Sequence, residues 1–156
     1  NISIGIASAH GKAHIHGVGV PEELWTADHN SFLECMADAA KSVVEYLGRR
    51  NMAFINVANR LSVDCDCDAH PHEPEMADIG VFASLDPVAL DQACVDACLA
   101  AEPMPGSQLA RHLAEPGFHD HHDHFTNSTP ESEWRSCLEH AAKIGLGSRE
   151  YELIEM

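Results

Sequence analysis

A short acidic segment of the chain concentrates side chains that bind metal ions. Its residues are Asp64, Cys65, Asp66, Cys67, Asp68, Ala69, His70, Pro71 and His72. Thiolate and imidazole suit zinc and iron-type ions, whereas carboxylate oxygens suit harder cations. The segment therefore predicts a transition-metal site whose ligands come from Cys65, Cys67, His70, His72, Asp66 and Asp68. The alternative is an acidic loop in which the cysteines have no ligand role.

The spacing of the two thiols limits the kind of site that this segment can form alone. Cys65 and Cys67 are separated by one residue, whereas structural zinc sites usually carry CxxC pairs. Tetrahedral coordination from the segment alone would be strained, so further ligands are expected from elsewhere. Candidates for these ligands are His10, His14 and His16.

Two further groups of residues have the right types for metal binding. The run His119 to His124 is rich enough in imidazole to hold zinc, nickel or copper weakly, but a solvated loop without preorganisation is an alternative. Cys94 and Cys98 share a helix face with Asp91 one turn earlier and could form half a metal site. Cysteines in such helices are more often small buried hydrophobes.

Composition and charge restrict the class of protein and its partners. A chain of 156 residues with 45% hydrophobic content is about one domain and can bury a core without metal. A net charge of −16 opposes nucleic acid and anionic lipid, and no apolar run is long enough for a membrane span. Cations or basic partners fit better.

The cysteine pattern indicates the cellular compartment of the protein. Three of the six cysteines lie in amphipathic helical stretches, and the first residues lack the charged and apolar regions of a signal peptide. We therefore expect reduced thiols and a cytoplasmic protein.

The remaining residues alternate between strand and helix patterns. β-prone runs predict strands at 2–7, 52–57, 79–83 and 151–154. Helices are predicted from a Ser31 and Glu34 capping box to Gly48, from Asp86 and Pro87 to about Ala101, at 108–113, and from Thr129 and Pro130 to Gly145. Residues 10–17 and 115–129 are predicted to be polar, the latter a His/Asp-rich loop. This pattern predicts a single α/β domain over residues 1–156 with a layered sheet. The acidic segment follows the second strand, at the end where open α/β sheets bind ligands.

Several of these runs resemble a known protein family. They are Phe54–Val57, Val63–Asp68, Asp78–Gly80, Ser84–Ala93 and the tail Ala141–Tyr151. They resemble the domain of unknown function 362 family, whose members are commonly described as iron-sulfur-centre proteins. Ser8, Gly11, Lys12 and His16 fall where a Gly-Lys pair and a nearby His are expected. The resemblance implies a cofactor site that includes Lys12, His16 and Asp91, and a redox or electron-transfer role with a partner protein.

The chain also departs from the family pattern. Family members are usually longer, so the chain is expected to be a C-terminal part of such a protein. Many also carry a ferredoxin-like insert, whereas Val18–Asp28 contains no cysteine. The expected function is binding of zinc, iron or an iron-sulfur cluster, with a redox or electron-transfer role. One alternative is a metal-dependent hydrolase with Asp66, Asp68 or a nearby histidine as base, and another is a non-enzymatic acidic interaction domain.

Overall fold

A computed structural model describes residues 2–65 and 68–156 of the chain. The helices are α1 (Ala9–His16), α2 (His29–Leu47), α3 (Pro87–Ala100), α4 (Gln108–Ala114), α5 (His124–Ser128) and α6 (Trp134–Lys143). Short 3-10 turns cover Pro21–Glu23 and Arg49–Asn51, and the strands are β1 (Phe54–Ala58) and β2 (Gly80–Ser84). The Ile79 amide donates to the Ala58 carbonyl, so β2 starts where β1 ends and the pair is antiparallel. The α/β class is confirmed.

The chain packs into two compact units that interleave along the sequence. Unit 1 comprises Asn1–Phe54, Ser84–Gln92 and Glu133–Met156, and unit 2 comprises Ile55–Ala83 and Ala93–Ser132. In the part of the chain that the structure describes, none of the helices combines the length and apolarity needed to cross a bilayer.

Unit 1 is built on the packing of α2 against α6. The Lys41 ammonium group donates to the Ile144 carbonyl over 2.7 Å and so satisfies an acceptor that the end of α6 leaves open. The His140 ring lies 3.1 Å from an Asp38 oxygen and 3.6 Å from a Glu34 oxygen, so it joins the helices through polar contacts. The buried side chains of the two helices are Ala37, Ala40, Val44, Leu138 and Ala141.

The start of α2 differs from the predicted capping box. Asp28 is the N-cap, and its carboxylate accepts hydrogen bonds from the Ser31 amide and the Ser31 hydroxyl, each over 2.9 Å. The bond from the Ser31 amide holds the pKa of Asp28 below its ordinary value. The helix therefore starts earlier than predicted, at His29, and Ser31 lies in its first turn as a hydrogen-bond donor to the N-cap. The predicted end at Gly48 is confirmed, because this residue has φ +80° and follows the last helical residue.

The start of α3 is held by Asp86, as predicted. One Asp86 oxygen accepts from the amides of Val88 (2.9 Å) and Ala89 (3.1 Å), and Pro87 is the first helical residue. The second oxygen accepts from the Ser148 amide over 3.0 Å. Asp86 therefore caps its own helix and also binds the backbone of the tail.

Unit 2 is organised around the carboxylate of Glu75. Only 5% of the surface of this residue is exposed. Its oxygens accept from the amides of Gln108 (3.0 Å) and Leu109 (2.6 Å), at the start of α4, and from the Ser128 hydroxyl (3.1 Å). The positive end of a helix and direct hydrogen bonds compensate a buried negative charge. Glu75 therefore connects the segment after β1 with α4 and with the end of α5.

Other predicted elements are wrong at their bounds or in type. Residues 2–7 form turns and 151–154 lack regular structure, so neither of these β-prone runs is a strand. Residues 10–16 of the predicted polar stretch lie in α1, and the predicted loop 115–129 contains α5. The last helix starts at Trp134 rather than at Thr129. The physical reason for the missing strands is that short apolar runs become strands only where a partner supplies hydrogen bonds.

Removal of the Glu75 carboxylate should destabilise unit 2. Glu75→Ala leaves the amides of Gln108 and Leu109 without their buried acceptor, at an expected cost of about 3 kcal/mol in the free energy of unfolding. Urea unfolding followed by circular dichroism measures the difference. Glu73→Ala is the matched control, because Glu73 is exposed and nearby, and its expected effect is within about 0.5 kcal/mol. Equal effects of the two substitutions would contradict the anchoring role of Glu75.

Gly147 should not tolerate a side chain. A Cβ atom at this position would overlap the Asp86 carboxylate, so Gly147→Ala must displace the group that caps α3. The expected loss is about 1–2 kcal/mol, the usual value of an N-cap. Gly11→Ala is the control, because a Cβ there meets its nearest atoms at 3.4 Å within α1, and alanine should stabilise the helix by about 0.5–1 kcal/mol. In thermal unfolding, Gly147→Ala should lower the melting temperature and Gly11→Ala should raise it.

Candidate functional site

The predicted metal-binding segment lies in a loop of unit 2 that follows β1. The base of the loop is closed by the Glu75 amide, which donates to the Leu61 carbonyl over 2.7 Å. A second closure lies just outside it, where Asp78 accepts from the Asn59 side chain (2.8 Å) and the Arg60 amide (2.9 Å). We call residues 62–74 the acidic loop.

Asp64 and His72 are paired across the acidic loop. An Asp64 oxygen accepts from the His72 amide (2.6 Å), and Nδ1 of the His72 ring lies 2.9 Å and 3.1 Å from the two carboxylate oxygens. The bond from the His72 amide holds the pKa of Asp64 below its ordinary value. Because an ionised carboxylate only accepts hydrogen bonds, Nδ1 is the donor, which leaves Nε2 of the neutral ring with its lone pair.

The other predicted ligands that the structure describes lie in the same short loop. Cys65 is exposed, and its carbonyl accepts from the Asp68 amide (2.9 Å). Asp68 in turn accepts from the His70 amide (2.8 Å), and both residues are exposed. Asp66 and Cys67 lie outside the described residues. Among the residues that are described, no three His, Cys, Asp or Glu side chains already stand together as a metal cluster.

The predicted cofactor residues lie in unit 1. Lys12 is exposed on α1, and its carbonyl accepts from Nδ1 of His16 over 2.7 Å. The His16 ring also stacks on Phe32 with a centroid separation of 4.8 Å. Asp91 is exposed on α3. His16 is therefore held in one orientation by its backbone bond and by its ring contact.

Three thiols outside the acidic loop have raised pKa values. Burial raises the pKa of Cys98 to about 11, and the nearby Cys94 adds to this. Burial, with the charge of Asp91, raises the pKa of Cys137 to about 11. Burial also raises the pKa of Cys35. Since metal ions bind the thiolate, these thiols are poor ligands compared with the exposed Cys65, and Cys98 matches the buried-hydrophobe interpretation.

The His/Asp-rich run is more ordered than its sequence suggests. Asn127 is 1% exposed; its side chain accepts from the His121 amide (3.0 Å) and donates to Asp120 (2.8 Å). Asp123 caps α5 by accepting from the amides of Phe125 and Thr126. The run is therefore not a loop throughout, because α5 begins inside it.

Sequence reasoning missed the two carboxylates that organise this region. The sequence places Asp64 in the acidic segment but does not indicate that it pairs with His72, eight positions away, because no local rule joins residues at that separation. Glu75 carries no sequence signal for its burial, since it follows a polar run of histidine, acidic and proline residues.

Comparison with models of protein families gives a match over the first part of the chain. The model of the family described as domain of unknown function (DUF362) matches residues 1–96. Searches of curated proteins and of solved structures found no significant match. The matched region is more than half of the chain and contains the acidic loop, α1 and Asp91. The chain belongs to the family of the domain of unknown function 362.

Proposed function

We propose that the protein binds a transition metal, as an iron-sulfur centre or as a single iron or zinc ion, through the acidic loop. Its ligands would be the thiolates of Cys65 and Cys67 and the imidazoles of His70 and His72, with Asp66 and Asp68 as additional oxygen donors. The observation that carries the proposal is the pairing of Asp64 with His72.

A carboxylate behind a histidine is the usual support of a metal ligand. Such a carboxylate accepts the proton of one ring nitrogen, fixes the tautomer and makes the other nitrogen a better ligand. Asp64 has this relation to Nδ1 of His72, and 68% of the His72 side chain is exposed against 20% for Asp64. Nε2 of His72 is therefore the nitrogen suited to a metal ion.

The connection of the loop to unit 2 supports the proposal further. The Glu75 backbone closes the base of the loop, and the Glu75 side chain is buried at the start of α4. A loop with fixed ends loses less conformational entropy when its ligands gather around an ion. This matters here because the described ligands are close along the chain without forming a complete cluster.

The proposed role is redox, as the family resemblance implies, with electron exchange through a partner protein. Thiolate ligation is the usual protein chemistry of iron-sulfur centres. A chain with net charge −16 would steer a partner that presents a basic face. Lys12, His16 and Asp91 are the residues proposed to bind a cofactor in unit 1.

Metal content is the direct test of the proposal. Untagged protein, prepared without oxygen and without a metal column, should contain near-stoichiometric iron with visible absorbance that bleaches on reduction. Colourless protein with stoichiometric zinc would support metal binding but overturn the redox role, and the ion would then be hydrolytic or structural. Protein without metal after reconstitution with iron and sulfide, or with zinc, would overturn the proposal.

Substitutions assign the metal to the acidic loop. Cys65→Ser/Cys67→Ser should remove the metal, and Asp64→Asn should weaken metal affinity about 10–100-fold because His72 loses its carboxylate partner. Asp120→Asn is the matched control, since Asp120 also accepts from a backbone amide and lies 3.3 Å from a histidine ring, that of His122. Unchanged metal content and affinity in both acidic-loop variants would place the metal elsewhere.

Thiol labelling gives an independent readout at pH 7.5. Cys65 should react in the native protein, and bound metal should slow this reaction because a coordinated thiolate is not available to the reagent. Cys98 and Cys137, each with a pKa of about 11, stay protonated at this pH and should react only after unfolding. Peptide mapping by mass spectrometry follows each site. Labelling of Cys65 at the same rate with and without metal would contradict its ligand role.

A further inference from the structure

We propose that α1 carries a second metal site, formed by His10 and His14, which binds a divalent transition-metal ion independently of the acidic loop. The two residues are one helical turn apart, so their side chains lie on the same face of α1. Their ring centroids are 4.4 Å apart with an angle of 73° between the planes. The backbone therefore already brings two imidazoles within reach of one ion.

The environment of His14 leaves one nitrogen suited to a metal ion. Nδ1 of His14 lies 3.0 Å from the Gly19 carbonyl oxygen. A carbonyl oxygen only accepts hydrogen bonds, so Nδ1 carries the proton and Nε2 of the neutral ring carries the lone pair. A backbone carbonyl behind a histidine is, like a carboxylate, a common support of a metal ligand.

The turn after α1 holds this arrangement in place. The Gly19 amide donates to the His14 carbonyl over 2.8 Å, so the backbone and the ring of His14 both bind Gly19. Gly19 has φ +90°, a conformation that glycine adopts without strain. A Cβ at Gly17 would overlap the Val20 carbonyl, so this turn also depends on a second glycine. The orientation of His14 is thus fixed by the backbone around it.

The chemistry of the pair defines the class of ion. Imidazole suits copper, nickel and zinc, with copper(II) bound most strongly among the divalent ions of this series. His10 is exposed, so an ion can enter from water and keep water molecules in its remaining coordination positions. Two protein ligands make this a site for an exchangeable ion. The net negative charge of the chain attracts such cations.

Calorimetric titration with zinc(II) tests the proposal in a Cys65→Ser/Cys67→Ser background, which removes the thiolates of the acidic loop. One zinc site should remain in that background. His10→Asn or His14→Asn should weaken it on the order of tenfold or more, the loss expected when a ligand set is incomplete. Failure of the iron or zinc site in the acidic loop would leave this result unaffected, so the two proposals fail separately.

A composition-matched control isolates the spacing of the two imidazoles. Ala9→His/His10→Ala keeps the number of histidines and the charge but moves one ring away from the face of His14. This variant should bind zinc as weakly as His10→Asn. Binding as tight as in the parent protein would overturn the proposal.

The position of a bound ion gives a second measurement. Substoichiometric copper(II) should broaden the NMR signals of residues 10–19 in the same background. His119 and His121 provide the competing location, because their rings are also in contact, with centroids 4.7 Å apart. Broadening confined to residues 119–124 would overturn the proposal. Circular dichroism checks that each variant keeps its helix content.

Discussion

The buried carboxylate of Glu75 is the interaction on which unit 2 depends. The carboxylate accepts hydrogen bonds from two amides at the start of α4 and from the Ser128 hydroxyl. The backbone of Glu75 closes the acidic loop through its amide and accepts from the Met104 amide through its carbonyl. A buried anion needs such donors, and a helix N-terminus supplies them with a favourable dipole. The acidic loop, α4 and α5 are therefore connected through one residue, and the geometry around Asp64 and His72 rests on a fixed base.

Asp86 has a comparable position in unit 1. It caps α3 and binds the Ser148 amide, next to a glycine whose missing side chain makes room for the carboxylate. One position further, Arg149 donates to the Gln92 side chain over 2.7 Å. Two runs that resembled family motifs, Ser84–Ala93 and Ala141–Tyr151, are thus in direct contact. These hydrogen bonds give both runs a structural role, because each run supplies partners for polar groups of the other.

The sequence predicted those parts of the structure whose cause is local. The Asp86 cap with Pro87, the end of α2 at Gly48 and the helix at residues 108–113 follow from neighbouring residues, and all three are present. The strands at 2–7 and 151–154 were wrong because strand formation depends on a partner that the pattern does not reveal. In the candidate site, the sequence shows which residue types the acidic loop carries, and their role as metal ligands stays a prediction. It could not identify the carboxylate behind His72 or the burial of Glu75, because both depend on contacts between residues distant along the chain.

The interleaving of the units has a consequence for the order of synthesis. Unit 1 needs its third segment, Glu133–Met156, to complete the packing of α2 against α6 and to supply Ser148 to Asp86. On the ribosome, all of unit 2 is translated before that segment. Until that segment is synthesised, the part of α2 that packs against α6 has no partner, and Lys41 lacks its acceptor Ile144, 103 positions later. The contacts of Glu75 within unit 2 can form during this interval, so the acidic loop can close before unit 1 is complete.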